Sequence, residues 1–208
     1  YWSIGSCSED GRQFEVVVDG KPAASVSWVM HGAHNRLNAL AAIAAARHAG
    51  VPVEQACEAL GEFKGIKRRL EVLGEVGGIT VYDDFAHHPT AIIETLSAVK
   101  EVSADGRILA VLEPRSNTMR MGVHKKRLLD SLQQANNIYL FQPDNIEWNL
   151  ADLARHSAAA AGVYDDVDGI IKDVIKQAQP GDHVVIMSNG GFGSIHTRLL
   201  QALEKQAA

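Results

Sequence analysis

The chain holds 208 residues, 46% hydrophobic and 22% charged, with a formal net charge of -5. That is enough for one large domain or two small ones with a real core, because domains commonly hold roughly 100 to 150 residues. The acidic balance and scattered Lys and Arg exclude a nucleic-acid footprint, and no apolar run approaches the ~20 residues needed to cross a bilayer. Cys7 and Cys57 lack CxxC spacing, so neither a disulfide framework nor a zinc ribbon is expected, and a reducing cytoplasm fits best.

The chain opens on strand-like YWSIGSC without a leader, which reads as a piece of something longer. Phe14 to Val18 and Ser25 to Val29 are β-branched and aromatic, and they flank Asp19-Gly20-Lys21-Pro22. This predicts a hairpin with a loop longer than two residues. Gly32 to Gly50 is an alanine-rich helical run with Leu37, Leu40, Ala41 and Ala44 on one face, and a short helix follows over Val53 to Leu60. GEFKGIKRR is a basic, glycine-broken connection.

From Ile79 onward, short apolar runs alternate with helical segments. The strands are ITVYDD, RILAVLE, NIYLF, GVYD and HVVIMS. The helices are expected from Pro89 to about Val102, near Gly122 to Gln134, near Asn149 to Ser157, near Val167 to Gln177, and after the last strand. Five continuous apolar runs separated by helices predict a doubly wound α/β domain with a mostly parallel sheet. The boundary is expected near Leu73 to Gly77, giving units of 1–73 and 74–208, the first too small to close a core comfortably by itself.

In such a sheet, ligands sit at the carboxyl ends of the strands. Three strands end in loops rich in function-capable groups. The first is YDDFAHHPT, which a metal could use through Asp83, Asp84, His87 and His88. Adjacent strand residues point to opposite faces, however, so the two aspartates do not easily share one ion, and Pro89 puts the histidines at a helix start. The second, EPRSNTMRMG, offers Arg115 and Arg120 as forks for a carboxylate or phosphate beside Ser116, Asn117 and Thr118. The third, SNGGFGS, would let backbone amides approach an anion at a helix N-terminus, or is a tight turn only; it is neither GxGxxG nor a P-loop. Earlier in the chain, Asn35 and Asn38 lie one turn apart, and two amides on one face suit the edge of a purine.

Together GAHNRLNALAA, GIKRRLE, YDDFAHHPT, LEPRSNTMRMG and MSNGGFGSIH resemble the Mur ligase family, in order and spacing and over essentially the whole chain. The resemblance implies that residues 1–73 are the last part of a central ATPase domain and that 74–208 are a C-terminal Rossmann-like domain. It implies ATP and magnesium as cofactors, with the P-loop, the magnesium ligands and the UDP-sugar domain in a missing N-terminal part of the same chain. Asn35 and Asn38 would contact adenine, Arg69 the ATP phosphates and Asp84 the ribose. His88 and His87 would lie toward the γ-phosphate. Arg115, Ser116, Asn117, Ser188, Asn189 and Phe192 would form a peptide pocket.

EPRSNTM and SNGGFG point to members that join L-alanyl-γ-D-glutamyl-meso-diaminopimelate to UDP-N-acetylmuramate, by way of an acyl phosphate, in peptidoglycan recycling. The resemblance also implies domain closure, with GEFKGIKRRLEVLGE as a hinge. Addition of L-alanine instead, a non-catalytic Rossmann-like binding module, and a metal-dependent hydrolase are the competing readings.

Overall fold

The computed structural model describes residues 1–103 and 105–207. They form two compact units, one up to Ile66 and one from Lys67 onward.

In the first unit, β1 (Trp2–Cys7), β2 (Gln13–Val18) and β3 (Lys21–Ser27) form an antiparallel sheet in that order. The β2–β3 connection is two residues, Asp19 and Gly20, at φ 49° and 76°. Asp-Gly with both residues left-handed is the sequence form of a tight hairpin whose twist matches its strands. The longer loop expected from Pro22 is therefore corrected. Pro22 lies within β3, at the sheet edge and beside a register shift at Val16/Val17, where a missing N–H is tolerated.

Helices α1 (Ala33–His48) and α2 (Val53–Gly61) follow. The buried face of α1 is Asn35, Ala39, Leu40 and Ile43, whereas Leu37, expected inside, is 60% exposed. Ala39, Leu40 and Ile43 pack with Phe14, Val16, Val26, Trp28, Val53 and Cys57.

The second unit is mixed α/β around a six-stranded sheet in the order β4-β5-β9-β6-β7-β8. The five expected strands are β5 (Ile79–Asp84), β6 (Ile108–Leu112), β7 (Asn137–Phe141), β8 (Ala160–Tyr164) and β9 (His183–Met187), all parallel to their neighbours within this set. The sixth, β4 (Glu71–Val76), pairs antiparallel with β5 through a Gly77-Gly78 turn, both residues at positive φ. β4 thus crosses the expected 73/74 boundary, with Gly74 at its middle beside the Leu200 side chain.

Helices cover both faces. One face carries α3 (Pro89–Val102), the four-residue turn α4 (Asn117–Arg120), α5 (Lys125–Ser131) and α6 (Leu150–Ala154), packed on Ile108, Ala110, Leu112, Val185 and Met187. The other carries α7 (Val167–Gln177) and α8 (Ile195–Ala207), packed on Val81, Leu109, Val111, Val184 and Ile186. Alternate residues of each strand go to alternate layers, so continuous apolar runs serve two cores at once. No helix of the described residues is long and apolar enough to cross a membrane.

Candidate functional site

β5, β9 and β6 are adjacent, and their registers align Asp84 with Met187 and Met187 with Leu112. Loops 85–90, 188–194 and 113–122 therefore leave the sheet side by side at its carboxyl edge, where open parallel sheets hold ligands.

Strand alternation separates the two aspartates, as the sequence predicts. Asp83 faces α8, with its oxygens 3.1 Å from His196 Nε2 and 3.4 Å from Arg68 Nε. The His196 approach is a close contact without hydrogen-bond alignment. Asp84 faces α3 and is 5% exposed. Its Oδ1 accepts from the Ala86 amide at 2.7 Å and the Thr95 hydroxyl at 3.0 Å, and its Oδ2 from the Leu70 amide at 2.7 Å. Burial pushes its pKa above the usual carboxylate value, against the pull of those three donors and the nearby Arg69 charge. The carboxylate expected on a ribose is thus the buckle that closes residues 70–86 onto α3. Among the described residues, no group of three or more His, Cys, Asp and Glu is placed to hold a metal ion.

The two histidines are oriented differently. His87 Nδ1 lies 2.8 Å from the Phe85 carbonyl, which as an acceptor places a proton on Nδ1. His88 is the N-cap of α3, its Nδ1 accepting from the Ala91 amide at 3.3 Å, so its proton is on Nε2. Burial, reinforced by the charges of His87 and His124, pushes the His88 pKa below 6.5. A depressed folded pKa means the unfolded chain takes the proton more readily. The cap's contribution is therefore complete above the unfolded value near pH 6.5, and is lost as pH falls through the folded value. His88→Asn, which caps without titrating, should flatten this acid-side slope in denaturation measured across pH 5 to 8. His88→Ala should cost about 1 kcal/mol at neutral pH.

Arg69 is exposed, its guanidinium 5.5 Å from the centre of the Phe85 ring, with N–H groups free to meet an anion. Its neighbour Arg68, which sequence reasoning passed over, turns inward and donates from Nη2 to the carbonyls of Ser188 at 2.5 Å and Gly190 at 2.9 Å. The doubled arginine and adjacent glycine-rich motif were visible, but which arginine turns inward depends on the positive φ of Arg68.

In the loop after β6, Arg115 is exposed and lies on the Cα face of Gly190: a Cβ there would stand 1.9 Å from Arg115 Nη1. Ser116 Oγ donates to the His87 carbonyl at 3.5 Å, and Asn117 Oδ1 accepts from Arg120 at 2.8 Å. Trp148, also missed from sequence, props this loop by donating from Nε1 to the Met119 carbonyl at 2.8 Å. The signal was a lone tryptophan in the connection after β7, among polar residues.

In the loop after β9, Asn189 is partly buried and its Oδ1 has no protein partner. Ser188, expected in the pocket, is fully buried. Its hydroxyl donates to Glu113 and accepts from the Gly190 amide at 2.9 Å, so it shapes the loop. Phe192, also expected in the pocket, is 2% exposed and packs 5.5 Å from Phe141, in the core beneath the loop. Arg115, Ser116, Asn117 and Asn189 remain as groups at the loop ends.

In the first unit, Asn35 and Asn38 differ. Asn35 is buried and donates to the His31 carbonyl at 2.7 Å, anchoring the start of α1, while Asn38 is exposed.

Residues 68–190 match the family model described as Mur ligase, glutamate ligase domain. The chain is 50% identical, over its full length, to the UDP-N-acetylmuramate--L-alanyl-gamma-D-glutamyl-meso-2,6-diaminoheptandioate ligase of Escherichia coli, covering 46% of it. It is 48% identical to the same-named protein of Haemophilus influenzae, over 98% of this chain and 45% of that one. A solved murein peptide ligase from Psychrobacter arcticus superimposes with a TM-score of 0.71 at 47% identity, over 100% of this chain and 45% of that one. The chain thus spans about half the length of the curated relatives it matches. A family model covering the sheet from its first strand to the glycine-rich turn, on a fold whose three motif loops meet at one edge, leads to one conclusion: the chain belongs to the Mur ligase family.

Proposed function

We propose that this chain is part of an ATP-dependent C–N ligase that joins L-alanyl-γ-D-glutamyl-meso-diaminopimelate to UDP-N-acetylmuramate, serving peptidoglycan recycling in the cytoplasm. The observation that carries the reading is the Arg115 guanidinium seated on Gly190 between two loops, in a chain 50% identical throughout to a ligase named for that peptide. An exposed arginine resting on a glycine at the loop ends is suited to a peptide carboxylate through paired N–H donors.

ATP with magnesium would supply the γ-phosphoryl group that activates the muramate carboxylate as an acyl phosphate, with ADP leaving, and the peptide amine would then displace phosphate to form the amide. The residues of this chain fit that chemistry unequally. Arg69 has free donors for a phosphate and Asn38 is open to a base. Asn35 gives one amide proton to His31, so it has one amide proton and its carbonyl oxygen left for adenine. Asp84, with three protein donors, has little acceptor capacity left for a ribose. His88, neutral and carrying its proton on Nε2, is suited to donate to a phosphate oxygen, and His87 Nε2 to accept a proton. Arg115, Ser116, Asn117 and Asn189 would hold the peptide so that its amine is presented in line, the main contribution expected where chemistry depends on positioning. The magnesium ligands are assigned to the part of the protein outside this chain.

The test is a product assay of the complete protein with ATP, UDP-N-acetylmuramate and either the tripeptide or L-alanine. Amide product and phosphate in equal amounts with the tripeptide support the reading, and preference for L-alanine overturns it. Arg115→Ala should raise the peptide KM by about 10- to 100-fold, the loss expected for a charge-assisted hydrogen bond, while leaving the KM for ATP unchanged.

A further inference from the structure

We propose that Arg68 is a positioning residue for the peptide, setting the shape of the glycine-rich loop on which Arg115 rests; the inference rests on the proposed function of that site. Arg68 stands at φ 60° and Leu70 at φ 51°, both left-handed without being glycine. Such backbone costs free energy and persists only where surrounding contacts hold it.

The contacts here converge on one side chain. The Arg68 amide donates to Glu71 at 2.8 Å, and its carbonyl accepts from the Phe85 amide at 2.8 Å, tying it to β4 and to the end of β5. Its guanidinium lies 5.1 Å from the centre of the Phe85 ring and 3.4 Å from Asp83, whose other oxygen faces His196 of α8. Its Nη2 then reaches the carbonyls of both Ser188 and Gly190. One planar group thus joins the start of the unit, the end of β5 and the loop after β9.

Carbonyls two residues apart converge on one nitrogen only where the chain curls. That curl turns the Cα face of Gly190 toward Arg115, the contact a Cβ would abolish. The chain of causes runs from Arg68 through the Ser188 and Gly190 carbonyls to the place where the Arg115 guanidinium sits. Lysine carries the charge and can donate to the two carbonyls, but it lacks the planar fork needed to meet Asp83 at the same time.

The experiment compares Arg68→Ala, Arg68→Lys and Arg107→Ala in the complete protein. Arg107 is the control, since it makes a bidentate pair with Asp182 at the opposite, amino end of the strands. Arg68→Ala should raise the peptide KM about tenfold while kcat changes less than about threefold, the range for losing charged hydrogen bonds that only position a group. It should also speed amide hydrogen exchange in residues 188–194. Arg68→Lys should recover part of both, and Arg107→Ala should lower the melting temperature without moving the peptide KM.

An unchanged peptide KM in Arg68→Ala, or an equal rise in Arg107→Ala, overturns the proposal. If the wild type does not ligate the tripeptide, the function reading fails, and the exchange data alone decide Arg68: unchanged exchange in the loop rejects it. If Arg68→Ala does not fold, Asp83→Asn, which releases one corner of the guanidinium, takes its place and must show the faster loop exchange.

Discussion

Asp84→Ala is expected to destabilise the second unit by about 3 to 5 kcal/mol, a fall in melting temperature of roughly 10 °C for a unit of this size. The cost comes from the groups left behind. The amides of Leu70 and Ala86 and the hydroxyl of Thr95 all aim at this carboxylate, and each loses its acceptor in a region closed to water. Asp84→Asn should cost less, about 1 to 2 kcal/mol, because its carbonyl can keep Ala86 and Thr95 while its NH2 is set against the Leu70 amide.

The pH dependence has a definite sign. Burial raises the folded pKa of Asp84 above 3.8, so the folded state holds the proton more tightly than the unfolded chain. Ionisation therefore subtracts from stability as pH rises from 3.8 to the folded value, and the loss is complete above it. Asp84→Asn should remove this downward slope, read as melting temperature against pH from 3.5 to 7. A slope equal to that of the wild type would show that another group carries it.

Gly190→Ala is expected to raise the peptide KM by about 10- to 100-fold with little change in stability, within about 0.5 kcal/mol. The new Cβ would stand 1.9 Å from Arg115 Nη1 and 2.6 Å from its Cδ and Cζ, so one of the two must leave. Arg115 is exposed and flexible, and it yields, taking its guanidinium out of the proposed peptide site at almost no cost to the fold. The neighbouring position gives the contrast: a Cβ on Gly191 meets nothing within 4 Å, and Gly191→Ala should change the peptide KM much less. Equal effects from the two alanines would assign the loss to loop stiffening.

Much of this architecture is legible where local chemistry and tertiary demand agree. α3 starts at Pro89 behind a capping His88, and α7 starts behind Asp166, whose carboxylate accepts from the Gly169 amide at 2.6 Å. Both helices occupy the residues their sequences predict, because proline at the first turn and an aspartate cap fix a helix start locally. The β4–β5 hairpin was equally local in its signal, a Gly-Gly pair between Val76 and Ile79, but Gly74 at mid-strand made its first arm resemble a connection.

What sequence does not reveal is which way a side chain turns once the backbone leaves the ordinary regions. Phe192, Gly193 and Ser194 all have positive φ, and that twist sends the phenyl ring into the core instead of the pocket. Leu37 and Asn35 show the same limit on a regular helix. Burying the Asn35 amide against His31 rotates α1 so that a leucine faces outward.

The strand order also constrains when the site can exist. β9 is the last strand along the chain, yet it lies between β5 and β6, which are already present much earlier in synthesis. A chain emerging from its N-terminus can pair β6, β7 and β8 and cover them with helices, but a slot at the middle of the sheet stays empty until residues 183–187 arrive. All three candidate-site loops take their relative places in that one event. Assembly of the site is therefore a late, all-or-none step, and partly synthesised chains expose two unpaired strand edges where the finished molecule has a buried central strand.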